Sequence, residues 1–446
     1  MTAIPLVVRD GAEPFARLED RTITVAEFCA DVQTLASGLP TAAHVINLVQ
    51  DRYLFTVAFY AALTRGKTVL LPSHRELGAA SAVSRQFDRT IVIGDADDEH
   101  LDLRVALQPG GNGSVPTPAC ESSHAAVIVF TSGSTGTPQP HVKTWGLLDN
   151  YRHHHWAQLE RQIGSRKSNT TDLVATVPSW HMYGLEWALL LPTVAPLRIF
   201  CGADFYPADV RAALGGADGD GVLVSTPLHL RALHAAGAAD ADNVALTLCA
   251  TAPLANSLAI DIEQGLNTSI WEIYGCSEIG SVASRRPTQQ QAWEFFEWFD
   301  LTHKEQALTL DHALLPAPVT LADQFVAHGA DSFLLEGRNT DIIKIGGKRE
   351  SLAHLNNVLL QLAGVEDGLF FQPSSFGLPD RGRLEALVVA PDKSVEQLRQ
   401  ALAEQLPPAF LPRPLRRVAS LPRDETSKLK RSELQQLLHK LRDADV

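Results

Sequence analysis

Apolar positions along this chain switch repeatedly between two periods. From Ile23 to Leu39 they recur at helical spacing, HVINLV (44–49) is a short strand-like run, RYLFTVAFYAALTRG (52–66) returns to helical spacing, and KTVLLP (67–72) is again strand-like. Strand and helix in alternation predict a parallel sheet covered by helices, with ligands gathering at loops beyond the strand ends. A Gly-, Pro- and Ser-rich connection between Leu103 and Ser123 leads into AAVIVF (125–130), whose continuous apolar character predicts a buried strand. A helix is predicted from Lys143 to Gln162, and LVATV, GVLVSTP, VALTLCATAPL and SIWEIYGCSEIG repeat the strand-and-turn pattern. Between Arg285 and Phe325 the alternation is lost and only a mixed, partly β region is predicted. No internal repeat is found.

The polar segment after AAVIVF is TSGSTGTP, Thr131 to Pro138. Gly133 and Gly136 let the backbone turn its N–H groups toward one point, and Thr131, Ser132, Ser134 and Thr135 surround that point with hydroxyl donors, a composition suited to a polyanion such as phosphate. A polar surface loop has the same composition. The segment is not a Walker A loop, because no lysine follows Gly136 directly. His153, His154 and His155 are consecutive on the predicted helix, so their rings diverge by about 100° and cannot share one ion. They are expected on a solvated face. At later strand ends stand His181, either a core histidine or a site residue, and Glu278, either an exposed loop glutamate or a carboxylate facing a cation such as Mg²⁺.

With 446 residues, a large α/β body with a smaller unit attached is expected. Hydrophobic residues at 45% and charged residues at 20% fit a globular enzyme and exclude a disordered or fibrous chain. The N-terminal stretch lacks a basic region followed by a long apolar core, and Trp187 to Leu197 is broken by Pro192 and Pro196, so neither secretion nor a membrane span is expected. Five scattered cysteines without a C-x-x-C pair argue against a disulfide framework or a structural zinc and fit a reducing cytoplasm. A net charge of −13 disfavours nucleic acid as partner, although Arg413, Arg416 and Arg417 begin a locally basic C-terminal region.

Five stretches, in order, resemble the adenylate-forming superfamily of acyl-CoA synthetases, aryl acid ligases and luciferases: TSGSTGTP, PSWHMYG, YGCSE, GRNTDIIKIGGKR and LPRDETSKLKRSEL. The resemblance covers nearly the whole chain. It implies an α/β N-terminal domain of helix-covered sheets with a β-rich subdomain over residues 1–337, and a small, mobile α+β domain over 338–446. It also implies an acid–thiol ligase with ATP and Mg²⁺ as cofactors, in which a carboxylate attacks the α-phosphate to give an acyl adenylate and a thiol then displaces AMP. Carried over by position, Thr131, Ser132, Gly133, Ser134, Thr135 and Gly136 would hold phosphates, while Tyr274, Gly275 and Ser277, with Ala250, Thr251, Ala252 and Pro253, would surround the nucleotide. Asp323 would reach the ribose and Arg338 the ribose or phosphate, Glu278 would hold Mg²⁺, and Lys428 would contact the substrate carboxylate and α-phosphate. Trp180, His181, Tyr183, Gly184 and Gly280 would line the acid pocket, with His181 among the catalytic residues, and Gly346 and Gly347 would line the thiol tunnel. Three departures stand out: Ser427 replaces a glycine before the lysine, Thr340 followed by Asp341 replaces the usual pivot, and Gln139 replaces a lysine for which Lys143 is the candidate substitute.

GLEWALL offers Glu186, displaced from the position of the aspartate that would pair with an α-ammonium, so an acid without an α-amino group is expected. Trp180, His181, Tyr183 and the short Ala250–Ala252 stretch favour an aromatic acid over a long acyl chain. FTSGSTGTPQPHVKTW and EIGSVASRR resemble ligases of bacterial aryl-polyene pigment clusters, which implies a hydroxybenzoate and an acyl carrier protein, with free CoA as the alternative acceptor. A carrier protein is acidic, and Arg413, Arg416 and Arg417 form its candidate dock. A catalytically silent nucleotide-binding homologue would be favoured by loss of Glu278 or Lys428, and both are present.

Overall fold

The apolar runs assemble into two large sheets, and a smaller sheet follows them in the chain. The computed structural model describes residues 2–19, 21–72, 77–94, 101–102, 116–131, 139–164, 171–202, 206–216, 220–238, 244–304, 307–321, 323–338, 342–345, 348–379, 383–424 and 429–443. The first sheet has the strand order Gln139–Thr144, Ala125–Thr131, Thr68–Leu71, His44–Asn47, Thr90–Gly94, Leu101–Asp102. Its interior strands are parallel, while Ala125–Thr131 and Gln139–Thr144 form an antiparallel hairpin in which Thr131 opposes Gln139. The TSGSTGTP segment therefore joins two adjacent strands, and residues 132–138 lie outside the described residues. Lys143, expected on a helix, belongs to the second hairpin strand. The helix begins at Trp145 because the Thr144 side chain caps it, accepting from the Leu147 N–H at 3.3 Å. Likewise Ile23 lies in a short strand, and the helix Val25–Gly38 starts behind a reciprocal Thr24–Glu27 capping box.

The second sheet has eleven strands, in the order Asp323–Ala327, Ser332–Arg338, Trp293–Phe295, Gly280–Arg285, Ser269–Cys276, Val244–Cys249, Gly221–Ser225, Thr171–Ala175, Leu197–Phe200, Pro14–Arg17, Thr22–Thr24. Its centre is parallel, and the strands Thr171–Ala175, Gly221–Ser225 and Val244–Cys249 there are fully buried, as their near-continuous apolar runs require. Four carboxyl ends of this parallel centre open into the segments at 176–180, 225–226, 250–253 and 276–280. The region without clear periodicity resolves into short antiparallel strands, including Asp300–Lys304, Ala307–Asp311 and Val319–Thr320. The third sheet, Asp367–Phe371, Glu385–Val389 and Leu415–Arg417, packs with the helices Leu352–Gln361 and Val395–Gln405 over a core of Leu355, Phe370, Val388, Leu398 and Phe410.

Two polar residues of the Trp145–Ile163 helix are buried. Arg152 is fully enclosed, donating to the Pro5 carbonyl at 2.7 Å and to the Leu6 carbonyl and Thr193 Oγ1, pairing with Asp149 at 2.6 Å, and lying 4.7 Å over the Trp145 ring. The three histidines do not share the solvated face expected of them. His153 is exposed beside Asp149, and His154 stacks on Trp298. His155 is fully buried, with its ring 4.2 Å from that of Trp187 and close to Phe296 and Trp298. The same 100° step that keeps the rings from one ion turns the third of them into the core.

Candidate active site

At the end of Val244–Cys249 the chain turns through Ala250, Thr251, Ala252 and Pro253. Thr251 has φ +81°, a left-handed conformation strained for a β-branched residue. The turn is anchored from the adjacent strand: the Glu272 side chain accepts from the Leu254 N–H at 2.9 Å and forms an ion pair with Arg285 at 2.5 Å. Burial pushes the Glu272 carboxyl up, opposed by the Arg285 charge and these hydrogen bonds. Two residues along the same strand, the Tyr274 hydroxyl donates to Asp323, and the ring sits among Trp293, Phe325 and Phe333. Asp323 stands opposite Arg338 in the sheet register. Residues assigned separately to adenine and ribose thus lie on different strands of one sheet, Tyr274 on an interior strand and Asp323 on the edge strand, and one hydrogen bond joins them.

The turn from Cys276 to Ser281 carries Ser277 and Glu278. Gly280 has φ +120°, and a Cβ there would lie 2.0 Å from Glu186 Oε1, so glycine is required both by conformation and by space. Glu186 is 1% exposed and accepts from the Ser281 N–H at 3.0 Å and from the Ser281 hydroxyl, which also accepts from Trp187 Nε1 at 2.9 Å. It faces the protein interior. Lys143 is also 1% exposed, and its ammonium donates to the Glu278 carbonyl, so it serves this turn and is not an exposed substitute for the lysine missing at Gln139. Tyr151 donates to the Ile279 carbonyl at 2.9 Å. Burial lowers the Lys143 ammonium to about 8 against the opposing influence of Cys276, Glu186 and Glu278, and burial raises the Glu186 carboxyl to about 7 against Ser281 and Lys143.

Glu278 itself is exposed. Partial burial works to raise its carboxyl, but its own backbone N–H, the Cys276 thiol, His141 and Lys143 outweigh that and hold it below the ordinary value. An ionised, outward-facing carboxylate fits Mg²⁺, a hard cation commonly held by one or two carboxylates together with substrate phosphates. Among the described residues no cluster of three or more His, Cys, Asp or Glu side chains forms a dedicated cage, and a shared site of that kind needs none.

Beyond the Thr171–Ala175 strand, His181 precedes the short helix Met182–Gly184, whose next residue donates its N–H to the His181 carbonyl at 2.8 Å. Trp180 faces Phe55 with ring centroids 6.5 Å apart, and Tyr183 is buried, which drives its hydroxyl pKa upward. Gly184 is a packing requirement, since a Cβ would fall 2.0 Å from the Pro178 carbonyl oxygen. Ser132, Gly133, Ser134, Thr135, Gly136, Gly346, Gly347 and Lys428 lie outside the described residues, as do Thr340, Asp341 and Ser427. The interior support from Lys143, Glu186 and Tyr151 was missed in the sequence reading. Its only signal was a lone charge in each of two apolar contexts, PHVKTW and LEWALL.

Residues 8–297 match the family described as AMP-binding enzyme. The chain is 29% identical over 251 residues to a 4-coumarate–CoA ligase of Rhodobacter capsulatus, covering 56% of this chain and 61% of that protein. It is 28% identical over 319 residues to a 4-coumarate–CoA ligase of Halorhodospira halophila, covering 69% and 76%. Its fold matches that of the o-succinylbenzoate–CoA synthetase of Bacillus subtilis, solved with an acyl-adenylate intermediate, at a TM-score of 0.78 and 16% identity over 97% of this chain and 98% of that one. The family match over residues 8–297, well over half of the chain, leads to one conclusion: this chain belongs to the AMP-binding enzyme family.

Proposed function

We propose that the protein is an AMP-forming acid–thiol ligase that uses ATP and Mg²⁺ to convert an aromatic carboxylic acid to its acyl adenylate, then transfers the acyl group to a phosphopantetheine thiol. The observation that carries this reading is the placement of an ionised Glu278 at the end of the Ser269–Cys276 strand, next to the strand whose end forms the strained Ala250–Pro253 turn. Bringing a carboxylate against a triphosphate crowds like charges, and a fixed carboxylate holding a divalent cation offsets that repulsion without reorganisation. Mg²⁺ would supply charge neutralisation at the phosphates. Tyr274 and Asp323 would orient the nucleoside, and Thr131 to Gly136 would grip the phosphates. Lys428 would arrive from the 338–446 domain for adenylation and leave as that domain rotates, admitting the thiol past Gly346 and Gly347.

The relatives' names support an aromatic acid and favour CoA as the thiol; hydroxybenzoate is the narrower choice and rests on the pigment-ligase resemblance of FTSGSTGTPQPHVKTW and EIGSVASRR alone. The acyl carrier protein reading draws on Arg413 and Arg417, which are exposed, whereas Arg416 is engaged by Glu385 at 3.1 Å. A cytoplasmic setting is part of the proposal, and among the described residues no helix is long and apolar enough to cross a membrane. Pyrophosphate exchange across a panel of aryl and fatty acids tests the first half-reaction. Exchange with hydroxybenzoates is expected, and no exchange with any acid would overturn the reading in favour of a silent nucleotide-binding homologue. Thioester yield with CoA against a holo carrier protein then decides the acceptor.

A further inference from the structure

The Cys276–Ser281 turn is held from behind by three elements distant in sequence. Lys143, from the first sheet, donates to the Glu278 carbonyl; Tyr151, from the following helix, donates to the Ile279 carbonyl at 2.9 Å; and Glu186 accepts from the Ser281 N–H at 3.0 Å. Both charged side chains are 1% exposed, and Trp187 closes the cluster by donating to the Ser281 hydroxyl at 2.9 Å. Desolvating an ammonium and a carboxylate is costly, and burying them in one cluster with directed hydrogen bonds offsets that cost while fixing a single geometry. Hydrophobic residues of similar size would fill the space without specifying where the Glu278 and Ile279 carbonyls point.

The two large sheets are separate hydrogen-bonded units: the Gln139–Thr144 strand belongs to the first, and the turn carrying Glu278 joins two strands of the second. Lys143 lies on the Gln139–Thr144 strand, and its ammonium crosses to that turn. We infer that Lys143 and Glu186 are positioning residues, Lys143 tying the Gln139–Thr144 strand and Glu186 the protein interior to the Glu278 turn, and that together they fix the direction in which the Glu278 carboxylate faces a divalent cation. The cation part of this inference rests on the proposed ligase function; the tie itself does not.

Two measurements on the full chain separate the parts. Hydrogen exchange of the metal-free, nucleotide-free protein reads the tie directly: Lys143→Met is expected to speed exchange in a peptide covering 276–282 by about tenfold while leaving the buried 244–249 strand unchanged. Glu186→Gln, which keeps an acceptor for Ser281, is expected to give a smaller local rise. Mg²⁺ titration of pyrophosphate exchange reads the consequence: Lys143→Met is expected to raise the half-saturating Mg²⁺ concentration by about tenfold, the scale of losing an outer support of a metal ligand, with the KM for the acid unchanged. Unchanged exchange in 276–282, or an equal rise in every peptide, would overturn the tie. A local rise with an unchanged Mg²⁺ requirement would overturn the role toward the cation. Absence of pyrophosphate exchange in the wild-type protein would overturn the ligase reading, and the cation role with it, while hydrogen exchange still decides the tie.

Discussion

Acid should weaken this fold through His155. Its ring is fully buried against Trp187, Phe296 and Trp298, and among the described residues neither ring nitrogen has a hydrogen-bond partner. Burial drives its pKa from 6.5 to about 3, with His154 adding a smaller push in the same direction. The native ring therefore stays neutral while the unfolded chain takes up a proton below pH 6.5. The unfolded state then binds more protons, so stability falls as pH falls from about 6.5 toward 3. From 6.5 to pH 5 is about 1.5 units at about 1.4 kcal/mol each, which gives a loss of about 2 kcal/mol. That figure is set by the unfolded value and the pH chosen, because the native value lies well below both. His155→Phe keeps an aromatic ring in the stack and removes the proton site. Urea unfolding of both proteins at pH 7 and pH 5, followed by tryptophan fluorescence, should show the wild type losing about 2 kcal/mol more than the variant over that interval. Equal losses in the two proteins, or a native imidazole resonance titrating near pH 6 that is absent from His155→Phe and so belongs to His155, would refute the reasoning.

Lys428→Ala is expected to lower pyrophosphate exchange by about 10²–10³-fold, the scale of losing a charged transition-state contact, while transfer from a supplied acyl adenylate stays near the wild-type rate; equal loss of both half-reactions would count against the assignment. Gly280→Ala places a methyl 2.0 Å from Glu186 Oε1 at φ +120°, and urea titration should record about 2–3 kcal/mol of lost stability. Tyr274→Phe removes the hydrogen bond to Asp323, a loss of about 1–2 kcal/mol, and should raise the KM for ATP about five- to tenfold with little change in kcat, measured by initial rates at saturating acid.

Periodicity carried the two large sheets because their parallel centres are dry on both faces, and strands such as Gly221–Ser225 and Val244–Cys249 leave little choice but burial. Helix starts shifted where a cap intervened: Thr24 and Thr144 each satisfy an N–H, so the helices begin at Val25 and Trp145, two residues beyond the expected Ile23 and Lys143, which no apolar count detects. The stretch between Arg285 and Phe325 gave no clear signal: Trp293–Phe295 and Val319–Thr320, of three and two residues, are too short to establish a period, and the longer Asp300–Lys304 and Ala307–Asp311 lack the continuous apolar run of a buried parallel strand. In the candidate site, motif position singled out Glu278, Tyr274 and Asp323 as expectations, whereas the interior contacts behind the Glu278 turn left no such mark. Lys143 and Glu186 read as a displaced phosphate contact and a displaced ammonium partner, because a sequence shows that a charge is present but not which way it faces.

Arg152 has a consequence for how distant parts of the chain come together. Its enclosed guanidinium takes acceptors from Pro5 and Leu6, from Asp149, and from Thr193, so the pocket that dehydrates it is complete only when the first residues and the one hundred and ninety-third are together. Enclosing Arg152 therefore requires contacts of long sequence separation, from residue 152 back to Pro5 and Leu6 and on to Thr193, and such contacts can form only after the intervening chain has closed as a loop. One side chain thus makes the burial of the Ala3–Pro5 strand and of Thr193 a joint requirement of the native state.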